Sequence, residues 1–293
     1  MEEYISDNSL YIRSKNNSMI NRKMIGRVLG MLLFIELGMF LLCAGVSAGY
    51  GESDYKYFLY TCIINAVVGG LLLLYGRGAE NKMSRRDGYC VVTLSWVFFT
   101  FFGMLPFYFS GSIDTITNAF FETMSGFTTT GATILDDIES LSHGMLFWRS
   151  LTQWIGGLGI VFFTIAILPI FTTGGVQLFS AESTGVTHDR THPKINVMAK
   201  WLWTIYLVLT VSETVLLMFG GMSLFDAICQ SFATTATGGY STKQNSISYW
   251  NSPYIEYVVA IFMIISSINF SLFLMCLKGK VGRLFKDEET HWF

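Results

Sequence analysis

The sequence predicts an all-helical integral membrane protein, in which a helical pair precedes two copies of a span, half-length helix, polar loop and span. Of its 293 residues, 52% are hydrophobic and 14% are charged, and the mean hydropathy is +0.46. That composition is typical of membrane proteins. Four intervals without Asp, Glu, Lys or Arg are long enough to cross a hydrocarbon core, which takes about 20 helical residues. They are 57–76, 88–113, 150–181 and 257–277.

Two more predicted spans each contain one glutamate. Glu36 lies in the span 28–49, and Glu213 lies in the span 197–220. An acidic residue at membrane depth is costly and is usually either functional or held by a partner. For Glu36 a structural hydrogen bond is the favoured interpretation, whereas for Glu213 structural and functional roles stay equally open.

Two apolar runs of about a dozen residues are too short to cross a membrane. They lead into FFETMSGFTTTGATIL at 120–135 and DAICQSFATTATGGYST at 226–242. A half-length helix that ends in a polar loop at membrane depth is tolerated only where it lines protein or a water-filled path. The repeated pattern therefore indicates a pore.

The chain divides around these two copies. Internal repeats are typical of symmetric membrane pathways, with the site where the repeats meet. In chain order we expect a cytoplasmic N-terminal tail at 1–23, a transmembrane helical pair at 24–87, a first pore repeat at 88–172, a cytoplasmic connector at 173–196, a second pore repeat at 197–278 and a cytoplasmic tail at 279–293.

The distribution of basic residues predicts the orientation. A cytoplasmic N-terminus places 16 of the 19 Lys and Arg residues inside, as the positive-inside tendency favours, and leaves Lys56, Arg149 and Lys243 outside. Both Thr/Gly loops then open outward. Acidic residues on the outer side would concentrate cations there, although ordinary loop solubility is an equally open explanation for each of them.

The Thr/Gly loops suit the coordination of potassium by backbone carbonyls. Carbonyl oxygens can replace the hydration shell of the ion, glycine permits the backbone angles that aim them inward, and a threonine hydroxyl can add an oxygen. The C-terminal end of each half-helix adds partial negative charge. Alignment without a gap pairs Gly131 with Gly238. Glu122, within the first half-helix, is expected to hold its loop from behind.

A glycine-rich stretch, QWIGGLGI, follows the first loop. Gly156, Gly157 and Gly159 could suggest a nucleotide-binding loop, but no strand precedes them and no GK[ST] follows. Close helix packing against a half-length helix is the favoured interpretation.

At these residues the chain resembles the Trk/Ktr/HKT superfamily of potassium transporters, and within it the TrkH-type membrane subunit. MSGFTTTGAT at 124–133, WRSLTQWIGGLGI at 148–160 and ATTATGGYST at 233–242 carry the resemblance. It implies potassium uptake across a bacterial inner membrane, without enzymatic activity and with K⁺ itself as the only bound metal, no other cofactor being expected. The implied ion-binding filter residues are Thr128, Thr129, Thr130, Gly131, Ala132, Thr235, Ala236, Thr237, Gly238 and Gly239, with Glu122, Thr133 and Tyr240 as supports.

The resemblance covers two of the four repeats that the family carries in one chain. The sequence stops at DEETHWF, 287–293, which resembles the lead-in to a third repeat. We therefore expect the N-terminal half of a transporter, from a truncated product or a partial gene model. The alternative is an accessory or truncated membrane protein that does not conduct. An intramembrane enzyme is disfavoured because the spans contain no His or Asp.

The resemblance also implies partners. The complete protein is expected to be a homodimer in membrane lipid, to contact a cytosolic nucleotide-binding regulatory subunit of the TrkA type, and to bind no nucleic acid. The basic tail at 278–286 could dock that subunit. A role in setting topology near lipid headgroups is the favoured interpretation of the tail.

Overall fold

The computed structural model describes residues 20–79, 84–159 and 195–268, and within these ranges it contains helices and no strand. The predicted all-helical class is thus confirmed. The α-helices are α1 (Arg22–Gly49), α2 (Tyr55–Tyr75), α3 (Arg85–Gly103), α4 (Leu105–Ser110), α5 (Ile116–Phe127), α6 (His143–Gly157), α7 (Ile195–Phe219), α8 (Leu224–Thr235) and α9 (Pro253–Ser267), and Ser246–Trp250 is a 3₁₀ turn.

Within the described residues, four helical stretches are long and apolar enough to cross a membrane. They are α1, α2, the α3–α4 stretch from Arg86 to Ser110, and α7 from Lys200. The predicted spans 150–181 and 257–277 are only partly described. The described part of the first span belongs to α6 and the residues just after it, and the described part of the second belongs to α9 and the residue after it. Of the predicted cytoplasmic N-terminal tail at 1–23, residues 1–19 lie outside the described residues, and α1 already begins at Arg22. The connector at 173–196, up to residue 194, and the C-terminal tail at 279–293 also lie outside the described residues.

Helices α1 and α2 form a hairpin whose interface is lined by small residues. A Cβ on Gly30 would lie 2.8 Å from the carbonyl oxygen of Gly69, so the two backbones approach closely at this point. Side chains on the opposite face of α2, such as Ile63, Leu71 and Leu74, are exposed and apolar. That exposed face suits contact with lipid.

Helix α6 occupies the centre of the described structure. It packs against α5 on one side and α8 on the other, and it also contacts α1. Its N-terminus begins at His143, earlier than the charge-free interval at 150 would predict, because Arg149 is buried within the protein. Arg149, counted with the outside charges in the sequence, is thus a buried residue of α6 and not a solvated one.

One carboxylate ties the hairpin to α6. Glu52, in the turn between α1 and α2, accepts hydrogen bonds from the backbone N–H groups of His143 (2.9 Å) and Gly144 (3.3 Å) at the start of α6. It also contacts His143 Nδ1 at 2.7 Å, and Tyr50 stacks on the same imidazole. An acidic cap at a helix N-terminus satisfies otherwise unpaired N–H groups.

This cap predicts a loss of stability in acid. Partial burial raises the pKa of Glu52, but the hydrogen bonds from His143 and Gly144 outweigh it, so the net pKa lies below its usual value. A lowered folded-state pKa stabilises the fold above the unfolded pKa, about 4.3, and that contribution is lost as the pH falls through the folded value. We expect Glu52→Gln to melt at a lower temperature than wild type at pH 7, with the difference shrinking below about pH 4. Glu256→Gln, at an exposed carboxylate, is the control. A Glu52→Gln difference that stays constant down to about pH 3 would contradict the assignment.

Candidate functional site

The two half-length helices end in the same backbone geometry. Helices α5 and α8 each have 12 residues, the length predicted for the two short apolar runs, and begin at capping hydroxyls, Thr115 and Ser223. After α5, Thr129 N donates to Gly126 O (3.0 Å) and Thr130 N to Ser125 O (3.0 Å). After α8, Thr237 N donates to Thr234 O (2.9 Å) and Gly238 N to Ala233 O (2.8 Å). Both ends are Schellman-type caps.

This geometry shifts the alignment of the loops by one residue. The left-handed residues are Thr129 (φ 53°) and Gly131 (φ 73°) in the first loop, and Thr237 (φ 54°) and Gly239 (φ 84°) in the second. Gly131 therefore corresponds to Gly239, and the predicted pairing of Gly131 with Gly238 is wrong. Gly238 instead takes the place of Thr130.

Threonine at the left-handed position is unusual. The αL residue of a Schellman cap is usually glycine, whereas a β-branched side chain there is an outlier that costs about 1–2 kcal/mol. The structure places one such threonine, Thr129 or Thr237, at the same point of each loop. Backbone strain of this kind clusters at functional sites.

The carbonyl groups of both loops make no hydrogen bond within the described structure, and part of each loop is exposed. None of the described residues donates a hydrogen bond to the carbonyl oxygens of 128–131 or of 236–239. Thr128, Thr130, Thr237 and Gly239 are exposed in the described structure. Backbone carbonyls at membrane depth need a partner, so these two rows of oxygens are the strongest candidates for binding a cation.

Two of the predicted ion-binding residues have contacts within the protein. The Ala132 carbonyl accepts hydrogen bonds from Ser125 Oγ (2.6 Å) and Tyr240 OH (3.3 Å), so it is directed into the protein. Thr235 is the last residue of α8, and its buried hydroxyl lies 3.5 Å from Glu213 Oε2 on α7.

A buried ion pair joins α5 to the second loop. Arg149 on α6 and Glu122 on α5 are 2% and 1% exposed, and Nε of the arginine lies 2.7 Å from Oε1 of the glutamate. The guanidinium stacks 3.6 Å from the centre of the Tyr240 ring and donates to Ser241 O at 3.0 Å. This arrangement satisfies both charges without water.

Glu122 also contacts its own loop, as expected from the sequence. Its carboxylate accepts hydrogen bonds from Thr133 Oγ1 (2.9 Å) and Ile134 N (3.0 Å), just after the exposed carbonyls. Tyr240 OH donates to the backbone carbonyl of Glu122 at 2.9 Å. The three predicted supports, Glu122, Thr133 and Tyr240, therefore form one connected network. Arg149, which completes it, was missed.

A second side chain of α6 contacts the second loop. Gln153, one turn after Arg149, accepts a hydrogen bond from Tyr240 N (3.1 Å). A Cβ on Gly238 would lie 2.6 Å from both Nε2 and Oε1 of Gln153. A Cβ on Gly131 would collide with the carbonyl oxygen of Gly238, so the two loops are in direct contact.

The glycines of QWIGGLGI allow α6 to fit between the half-length helices. A Cβ on Gly156 would overlap the carbonyl oxygen of Phe127, the last residue of α5. A Cβ on Gly157 would lie 2.7 Å from Cα of Ala236, which caps α8. The interpretation as close packing is confirmed at these two positions.

Comparison with known proteins places this arrangement in a family. Residues 55–290 match the family model TrkH, described as a cation transport protein. Over 272 residues the chain is 41% identical to the Trk system potassium uptake protein TrkH of Escherichia coli K12, and it is 31% identical to TrkG of the same organism over 274 residues. These alignments each cover 92% of this chain.

A solved structure shows the same fold. The crystal structure of the potassium transporter TrkH from Vibrio parahaemolyticus matches with a TM-score of 0.79 and 34% identity, covering 93% of this chain and 56% of that one. The chain spans about half the length of the curated relatives, 56% of the E. coli TrkH protein. These relatives are transport proteins and not enzymes, and the chain belongs to the TrkH family of cation transport proteins.

Proposed function

We propose that the two Thr/Gly loops line one side of a potassium pathway across a bacterial inner membrane. The observation that carries this proposal is the pair of adjacent loops whose carbonyl oxygens, at 128–131 and 236–239, accept no hydrogen bond from the described residues. A row of such oxygens can replace the hydration shell of K⁺. The potassium uptake proteins among the relatives supply the identity of the ion.

The revised register assigns equivalent roles in the two loops. Thr129 and Gly131 in the first loop correspond to Thr237 and Gly239 in the second. We propose that their left-handed backbone aims carbonyls of each loop at the ion path. The surrounding network holds the two threonines in this strained conformation. Glu122 binds Ile134 N after the first loop, and Arg149, which is paired with Glu122, binds Ser241 O after the second loop.

The exposed sides of the loops suggest that two loops are part of a larger ring. An ion stripped of water needs oxygens on all sides, and these two loops cover one side only. We propose that further sequence of the same kind completes the pathway, as the greater length of the relatives suggests. The alternative remains an accessory membrane protein that does not conduct.

Potassium uptake by a chimera tests the proposal. The chain would be joined to the portion of E. coli TrkH that it does not match and produced in cells that lack potassium uptake systems. We expect growth at low K⁺ with the chimera, and little or none with either part alone. A chimera that inserts at normal abundance yet transports no K⁺ would favour the accessory alternative.

The topology is tested by labelling single cysteines in a background without native cysteines. With the N-terminus in the cytoplasm, a membrane-impermeant reagent added outside should modify Cys at Asp137 or Asn245, both in exposed loops. It should leave Cys at Arg85 or His188 unmodified until the membrane is opened. The reversed labelling pattern would show the opposite orientation, in which both loops face the cytoplasm.

We further propose that the protein works as a homodimer in lipid and with a soluble nucleotide-binding regulatory subunit. The names of the relatives, which refer to a Trk system, are consistent with a partner. The basic tail that could contact it lies outside the described residues. Charge reversal at Lys280 and Arg283 should reduce co-purification of the subunit if the tail docks it. Unchanged co-purification would assign the contact to another part of the protein.

A further inference from the structure

Glu36 and Asn65 form a buried pair in the α1–α2 hairpin, away from the two loops. Both side chains are 0% exposed. Asn65 Nδ2 donates to Glu36 Oε2 at 3.0 Å. The other oxygen of each group, Glu36 Oε1 and Asn65 Oδ1, has no hydrogen-bond partner among the described residues. The pair thus leaves two buried acceptors without a donor.

One proton shared between the two groups would satisfy both atoms. A carboxylic acid and a primary amide are complementary, because the amide N–H binds one carboxyl oxygen while the acid O–H binds the amide oxygen. Here the first of these bonds is present, and the two unsatisfied oxygens belong to the same two groups. The Asn65 amide could also be placed with its oxygen and nitrogen interchanged. In that orientation two oxygens still face each other at the Glu36–Asn65 contact, so a proton on Glu36 is still required.

Among the residues that the structure describes, no ion pair supplies Glu36 with a positive charge in place of a proton. On α2, Cys62 is close enough to Glu36 to sense its charge, and its thiol donates to Leu37 O at 3.6 Å. On α6, Arg149 is paired with Glu122 of α5. On α3, Asp87 lies at the start of the helix, where it binds Ser84 and Asn21. Among the described residues Glu36 has no ion pair, and an unpaired carboxylate at membrane depth is strongly disfavoured.

A metal cation fits the site less well than a proton. A hard cation requires several oxygen ligands, whereas the pair offers two free oxygens, and Gly103 of α3 packs against one of them. The described residues contain no cluster of His, Cys, Asp and Glu suited to a metal. We infer that Glu36 and Asn65 are an intramembrane proton-binding site, in which Glu36 is a neutral acid that donates its proton to Asn65.

The site lies where the hairpin meets the first repeat. A Cβ on Gly103 would lie 3.2 Å from Glu36 Oε1 and 3.1 Å from the ring of Phe127, the last residue of α5. The Gly103 carbonyl accepts a hydrogen bond from Trp148 Nε1 of α6 at 2.8 Å. Removal of the proton would therefore place an unpaired negative charge beside the helix end that precedes the first Thr/Gly loop.

Three variants of the full chain in lipid nanodiscs test the site. Glu36→Gln mimics the protonated acid and can form the same two hydrogen bonds, whereas Glu36→Ala and Asn65→Leu each leave a buried polar group unpaired. We expect Glu36→Gln to keep the wild-type melting temperature at pH 7, and the other two to lose about 5 °C or more. As the pH rises, wild type should lose stability and Glu36→Gln should lose less.

Infrared spectroscopy detects the protonation state of the Glu36 carboxyl group directly. Wild type should show a carbonyl band of a protonated carboxylic acid that is absent from the Glu36→Gln spectrum and declines at alkaline pH. The inference is overturned if Glu36→Gln is as unstable as Glu36→Ala, or if Glu36→Gln removes no such band. It is also overturned if added Na⁺ stabilises wild type but not Glu36→Gln, since the pair would then bind a metal cation.

Discussion

Replacing Arg149 with Met is expected to destabilise the folded chain by about 3–5 kcal/mol, because it leaves the Glu122 carboxylate buried and uncompensated. The same change removes the stack on Tyr240 and the hydrogen bond to Ser241. Both loops lose part of their support, so potassium uptake by the chimera should also fall. Unfolding of purified protein in mild detergent, followed by denaturant titration, measures the stability.

Two controls separate the ion pair from its surroundings. Lys243→Met breaks the exposed Lys243–Glu139 pair, whose atoms are 3.3 Å apart, and should cost about 0–1 kcal/mol. The double change Arg149→Met with Glu122→Met removes both charges, so it should be less damaging than Arg149→Met alone. An Arg149→Met protein within about 1 kcal/mol of wild type would show that Glu122 needs no counter-charge.

Replacing Gly239 with Ala is expected to reduce the preference for K⁺ over Na⁺ by about tenfold. Gly239 has φ 84° and no atom within 4 Å of an added Cβ, so the change strains the backbone of the second loop without a steric clash. An alanine in the left-handed conformation costs about 1–2 kcal/mol. If about 1.4 kcal/mol of that strain is lost from the discrimination between K⁺ and Na⁺, the preference falls by a factor of about ten. Competition of Na⁺ with K⁺ uptake by the chimera measures the effect.

Gly221→Ala is the matched control for this prediction. Gly221, in the turn between α7 and α8, also has a positive φ (96°) and no atom within 4 Å of an added Cβ. It should suffer a similar strain and leave ion preference unchanged. Equal selectivity in the two variants and wild type would remove Gly239 from the pathway. Gly238→Ala is unsuitable, since the new Cβ would strike Gln153 and disturb packing.

The lengths of the two short helices could be predicted because hydrophobic length and charge are local properties of the sequence. The runs before both loops correspond to α5 and α8, with 12 residues each. The loop register could not be predicted in the same way. The second loop has two consecutive glycines where the first has one, and the left-handed positions that define the register include Thr129 and Thr237. Nothing in a threonine signals a positive φ.

Arg149 was misjudged because a count of basic residues treats each charge as solvated. Its burial depends on Glu122, which precedes it by 27 residues and lies on another helix. The sequence did contain a signal, since Glu122 falls within the first half-length helix and Arg149 directly precedes the predicted span 150–181. Matching these two isolated opposite charges would have predicted the Glu122–Arg149 ion pair. The contact between Arg149 and Ser241 could be seen only in the folded structure.

The position of a bound ion tests the central claim most directly. Crystals of the chimera grown in Rb⁺, a heavier substitute for K⁺, would locate the ion by its anomalous scattering. The account predicts a peak beside the two loops, coordinated by carbonyl oxygens from 129–131 and 237–239. Well-ordered loops without a peak, together with Rb⁺ bound elsewhere along the transport path, would contradict it.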